Sequence, residues 1–187
     1  MWWAQTNEQA LVIESRTARL RRFERLFTAQ YAVVAAYANR RASAVDADDA
    51  IAETFLVAWR RLDDVPDDAK PWLFGVARRV LANQRRAARR RDALYDRAAA
   101  SLTATGDAVD TQVLQALARL SERDREILLL AAWEGLTMAE AAAVLGCSRA
   151  AAKVRLHRAK HRLRDELARL QGERPATRTR LEECHEE

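Results

Sequence analysis

The sequence predicts an all-α protein built as two helical domains joined by a flexible linker. Three observations carry this. The 187 residues include only five Gly and three Pro, too few for the many turns of a sandwich or barrel. Apolar residues recur at helical spacing through most of the chain. That periodicity fades once, between about 93 and 110, into Ala, Ser, Thr, Gly and Asp, and then resumes. The chain thus divides into an N-terminal extension (1–20), a first domain (21–92), a linker (93–110), a second domain (111–170) and a C-terminal tail (171–187).

Phe23, Phe27, Tyr31 and Val34, with Leu26, Val33 and Tyr37 beside them, predict a buried helix over roughly 20–38. In the next helix Ile51, Phe55, Trp59 and Leu62 fall at i, i+4, i+8 and i+11, while Asp48, Asp49, Glu53 and Arg60 occupy other faces. Residues 63–68 hold four acids and Pro66, which break the pattern into a loop. Pro71 suits the first turn of a third helix, which carries Trp72, Leu73, Val76 and Val80 inward and runs to about Arg91. Beyond the linker, periodicity returns at Val113, Leu114, Leu117 and Leu120. Ser121 reads as the N-cap of a helix through Ile127 to Trp133, closed by Gly135. Thr137 and Glu140 form a capping box for a short Ala-rich helix that ends at Gly146. Ser148 caps the last helix, with Ala152, Leu156, Ala159 and Leu163 inward.

Charge is blocked along the chain rather than mixed. Residues 46–68 carry eight acids and two Arg, a net of −6, whereas residues 70–91 carry seven Arg, one Lys and no acid, a net of +8. Residues 92–147 return to −5, and residues 148–164 hold seven basic residues and no acid. Two basic stripes, each beside an acidic segment, point to two separate polyanion contacts. Two solvated helix faces would give the same pattern.

Several classes are excluded or disfavoured. Two Cys make no disulfide framework and no four-ligand zinc spacing. The longest apolar runs, such as Ile127 to Trp133, fall far below a membrane span. The N-terminal apolar run Leu11 to Ile13 is too short for a signal-peptide core, so the chain reads as cytoplasmic. There is no Gly-rich phosphate loop and no Ser/His/Asp or Cys/His set, so a catalytic role and a cofactor are not expected. His157 and His161, preceded by Cys147, lack an obvious fourth ligand and sit in basic surroundings.

The second domain carries a more specific signal. A capped short helix, a Gly turn and a helix with a basic outer face make a helix-turn-helix. Ala139 and Ala141 to Ala143 allow close crossing, and Arg149, Lys153, Val154 and His157 face outward with Arg155, Arg158 and Arg162 at the flanks. Such cations pair with phosphates and read guanine edges. In the first domain, Trp72 and Phe74 adjoin the Arg run, the mixture of stacking surface and charge that suits single-stranded nucleic acid. Taken alone, Trp72 reads better as a core residue at the start of the helix.

These residues resemble a family. The stretch Asp46 to Arg60 is similar to region 2.2 of bacterial sigma factors, and Pro71 to Arg78 with the Arg run to regions 2.3 and 2.4. Leu120 to Glu126, Gly135 to Ser148 and Val154 to Ala159 resemble region 4, and no room remains for region 3, the layout of the extracytoplasmic-function (ECF, group 4) subfamily. The resemblance covers about 23–92 and 111–168. It implies a non-catalytic specificity subunit that binds core RNA polymerase and directs initiation at promoter DNA, controlled by an anti-sigma factor. By the same resemblance, Asp48, Asp49, Glu53, Phe55, Trp59 and Arg60 would dock on the clamp of the largest subunit, and region 4 on the flap of the second-largest. Lys70, Trp72, Arg78, Arg79, Asn83 and Arg86 would open and hold the minus-ten element. Ser148, Arg149, Lys153, Arg155, His157 and Arg158 would read the minus-thirty-five element. The chain departs from the family pattern at Ala50 and Ala52, at Arg78 and Arg79, and at Ala150 to Ala152, where a phosphate-bonding hydroxyl is lost.

Overall fold

The computed structural model describes the backbone of residues 2–92 and 111–172, and side chains of 16–90 and 111–172. The expected linker 93–110, the tail beyond 172 and the side chains of Trp2 and Trp3 lie outside the described residues. Seven α-helices and no strand make up the rest: α1 (Trp2–Asn39), α2 (Ala44–Arg60), α3 (Ala69–Asp92), α4 (Thr111–Arg119), α5 (Glu122–Ala132), α6 (Met138–Leu145) and α7 (Arg149–Gly172). A 3-10 turn at Leu62–Asp64 separates α2 from α3.

Local chemistry sets most boundaries. Ser43 caps α2, its hydroxyl accepting from the Asp46 amide. Ser121 does the same for α5 through the Asp124 amide. At α6 both halves of the capping box form: Thr137 Oγ1 accepts from the Glu140 amide at 3.3 Å, and Glu140 Oε2 accepts from the Thr137 amide at 2.6 Å. Gly146 closes α6 at φ 65°, a left-handed conformation that any Cβ would strain. Ser148 Oγ then accepts from the Ala151 amide at 3.2 Å to start α7. The α1 helix is far longer than the 20–38 that periodicity delimits, because it continues through Trp2 to Leu20, where apolar residues keep no single stripe.

Helices α1, α2 and α3 enclose one core, centred on Val34, Ile51, Phe55, Ala58, Leu62 and Leu73. A second core joins Tyr37, Phe74, Ala77 and Leu81 to Leu117, Ile127, Leu130, Leu136, Ala141, Val144, Ala152 and Ala159. The two helical units therefore pack against each other, with α3 buried on two faces. Leu73 turns to the first core and its neighbour Phe74 to the second, as the 100° step of a helix requires.

Three sequence expectations change here. Phe74 is fully buried and stacks on Tyr37 with centroids 4.4 Å apart, so it offers no surface to a nucleobase. Phe27 and Tyr31 are 38% and 45% exposed rather than buried. They form an aromatic row with Phe55, 4.7 Å from Phe27, because α2 covers only one flank of α1. Phe55 itself is a core residue at 4% exposed, so it can support a docking face but not present one.

Candidate nucleic-acid interface

An open groove of about 1100 Å³ runs between α2 and α3. Asp49, Glu53 and Leu56 form one wall, Trp72, Arg79 and Asn83 the other. Asp48, Asp49, Glu53 and Arg60 are exposed on α2. Trp59 is half-buried, edge-on to Phe23 at 5.2 Å and under the Arg19 guanidinium at 5.4 Å. Trp72 is half-buried, packed against the first core and also lining the groove. Gln84 also lines the groove, and its Oε1 is buried without a hydrogen-bond partner.

Lys70 stands apart from this wall. Its Nζ donates to the Glu134 carbonyl at 2.6 Å, which turns it toward the second unit. Arg86 donates to Asn83 Oδ1, linking two residues of the α3 outer face. Arg78 points into the seam, where it lies near Tyr37, Arg41 and Glu126.

On α7, Arg149, Lys153, Val154, His157 and Arg158 are exposed and Arg155 is half-buried. Arg149, Lys153, Arg155 and Arg158 make no hydrogen bond or ion pair among the described residues, so their charges are free for phosphates or base edges. Ser148 holds the helix start. Arg162 pairs with the buried Asp124, which anchors α7 to α5 rather than flanking DNA. The rings of His157 and His161 meet, with Nε2 atoms 3.3 Å apart, but Cys147 packs on the second core instead. Among the described residues no three His, Cys, Asp or Glu side chains gather as a metal site.

A buried polar network at the seam carries no sequence signal. Tyr37 donates to Glu126 at 2.8 Å. Arg41 Nε donates to Glu126 at 2.9 Å and its Nη1 to Glu134 at 2.9 Å, while Arg40 reaches Glu134 at 2.7 Å. Arg41 also lies over the Tyr37 ring at 3.6 Å. Burial, then the Glu126 charge, pushes the Tyr37 hydroxyl well above its ordinary value. Burial works against the Arg41 charge, but Tyr37, Glu126 and Glu134 outweigh it and raise its pKa further. Pairing of this kind is what keeps buried charges tolerable. The partners lie about 90 positions apart in the chain, and one sequence holds no record of such pairing.

A basic helix-turn-helix joined to a bundle with an acidic helix and an Arg-rich helix defines a sigma-70 type transcription factor. Residues 26–91 match sigma-70 region 2 and residues 110–163 match sigma-70 region 4. The ECF RNA polymerase sigma factor SigL of Mycobacterium tuberculosis is 33% identical over 150 residues, which are 74% of this chain and 85% of SigL. The sigma factor RpoE, in complex with the anti-sigma factor NepR from Bartonella quintana, superposes with a TM-score of 0.67 at 27% identity, covering 78% of this chain and 96% of RpoE. CnrH, in complex with the cytosolic domain of CnrY, gives a TM-score of 0.59 at 28% identity over 88% of this chain and 97% of CnrH. The chain belongs to the ECF family of RNA polymerase sigma factors. It is a specificity subunit of transcription initiation, as the sequence resemblance implied.

Proposed function

We propose that the work of this sigma factor divides between the α2–α3 groove and the outer face of α7. The exposed acids Asp48, Asp49 and Glu53, with Arg60 and the edge of Trp59, dock on the clamp of the largest polymerase subunit, and Phe55 supports them from the core. Trp72, Arg79, Asn83 and Arg86 hold the opened minus-ten strand, where an aromatic edge and cations offset the few kcal/mol that extruding a base costs. Lys70 and Arg78 join them once the seam opens. Arg149, Lys153, Arg155, His157 and Arg158 read the minus-thirty-five element, with Ser148 setting the start of their helix. The assignment of 21–92 and 111–170 as two domains belongs to the same proposal, as does action in the cytoplasm without covalent chemistry. Among the described residues no helix is long and apolar enough to cross a membrane.

The observation that carries this reading is the set of unpaired α7 cations on a capped helix-turn-helix. A second supports control by an anti-sigma factor. RpoE and CnrH are each seen with such a partner, and the exposed Phe27 and Tyr31 row beside the α2 acids gives this chain a surface that a protein could cover. Packing also argues for opening. α6 touches both α3 and α7, so the α3 and α7 axes pass within roughly 20 Å of each other. The two promoter elements lie about 25 base pairs apart, roughly 85 Å of duplex. The packed chain spans one element at a time.

Reconstitution with core polymerase on fragmented genomic DNA, with transcript starts mapped, tests the reading. Starts that depend on this protein are expected. Tight duplex binding by the chain alone with no dependent start would sink it in favour of an autonomous repressor.

A further inference from the structure

A second cleft, about 300 Å³, opens where α3 meets α5. Arg78, Arg85, Arg86 and Arg89 enter it from α3, Arg123 from α5 and Arg41 from the segment after α1. Its two carboxylates are already engaged, Glu122 by Arg85 and Glu126 by Arg41 and Tyr37. Arg78, Arg89 and Arg123 have no hydrogen bond or ion pair among the described residues, and Arg86 reaches only Asn83. Four guanidinium groups thus face one concavity without a counter-charge. Nearby, Arg125 is held below the ordinary arginine value by burial and then by the Arg85 charge, which marks how densely cations crowd this end of the seam. Like charges at such range repel unless an anion joins them.

We propose that this cleft binds a small oligophosphate, two or three linked phosphate groups, that clamps the two helical units together. Guanidinium forks match phosphate oxygens in pairs, so Arg rather than Lys is the residue such a ligand calls for. The volume sits at the low end of ligand pockets, enough for linked phosphates and too small for a duplex. The cleft offers no exposed aromatic face for a base, since Tyr37 is buried beneath Phe74 and Arg41. It also draws on both units, because Arg123 meets the α3 cations only when α5 lies on α3. Arg78 and Arg86 are shared with the promoter-facing set of α3, whereas Arg89 and Arg123 belong to the cleft alone, and the closed chain is the form it would stabilise.

Calorimetric titration of the full chain with sodium tripolyphosphate, at ionic strength fixed with chloride, tests this. One saturable site is expected. Arg123→Ala and Arg89→Ala should each weaken it about tenfold, the loss of one charge-assisted contact, while Arg25→Ala on exposed α1 leaves it unchanged. X-ray scattering should show the loaded chain staying compact at salt that expands the free chain. Absence of saturable binding overturns the proposal. Binding that is equal in wild type and Arg123→Ala also overturns it, by placing the anion on α3 alone. None of these readouts involves transcription, so failure here leaves the promoter reading intact.

Discussion

Arg41 Nη1 lies 2.9 Å from Glu134 Oε1 with side chains only 4% and 3% exposed, and the pair ties the end of α1 to the turn after α5. Removing Glu134 leaves Arg41 with Glu126 as its one carboxylate and takes the ion-pair partner of Arg40. Glu134→Ala is therefore expected to disfavour the closed packing by about 2 kcal/mol, the loss of charge-assisted hydrogen bonds rather than of all compensation. The radius of gyration from solution scattering should rise while helical content holds. An unchanged radius would mean that the apolar seam alone keeps the units together.

A wedge at Gly75 tests that apolar part. A Cβ there would stand 3.9 Å from Val144 Cα and 3.5 Å from Arg79 Nη2, ordinary contact for a methyl and no more. Gly75→Ala should leave the chain compact, and Gly75→Leu should lift α6 from α3. Amide exchange of α6 distinguishes the two. Equal protection in both variants would show that α6 is not seated there.

Promoter steps should separate by helix. Lys153→Ala is expected to weaken use of promoters through the upstream element, roughly tenfold for a lost base or phosphate contact. Trp72→Ala should form the closed complex and then fail to melt the minus-ten region. Permanganate reactivity reads the difference, and normal melting by the Trp72 variant would remove Trp72 from the assigned role.

The α6 capping box carries an acid dependence. Side-chain and backbone hydrogen bonds from Thr137 hold the Glu140 carboxyl below its ordinary value. A depressed carboxyl contributes stability that is present above the usual carboxylate range and lost as pH falls through the lower folded value. Thr137→Ala should thus lower the thermal midpoint at neutral pH, and the gap from wild type should narrow in acid. A gap that stays constant to pH 3 would detach Glu140 from the stability of α6.

What the sequence disclosed depended on range. Caps are local, so Ser121, Thr137 with Glu140, Gly146 and Ser148 were all legible, as was the inward stripe of Ala152 and Ala159. Periodicity was less informative where a helix is buried twice. In α3 the first stripe was visible through Leu73 and Val76, but Phe74 beside a run of Arg read as a stacking surface. Only the position of α5 and α6 reveals that it is core. Phe27 and Tyr31 misled in the opposite sense: their spacing suits burial, but among the described residues α2 covers only one flank of them. Arg41, Glu126 and Glu134 escaped because a buried ion pair between distant segments has no spacing rule.

Leu73 and Phe74 are consecutive and both fully buried, one in each core. The α3 helix is thus a party wall, and neither half can melt without stripping the other of a side. Calorimetry of the free chain should show one cooperative transition in place of two. The same wall sets a condition on any partner that parts the halves: it inherits the bare face of Phe74, Ala77 and Leu81, and must cover that face or leave it to water.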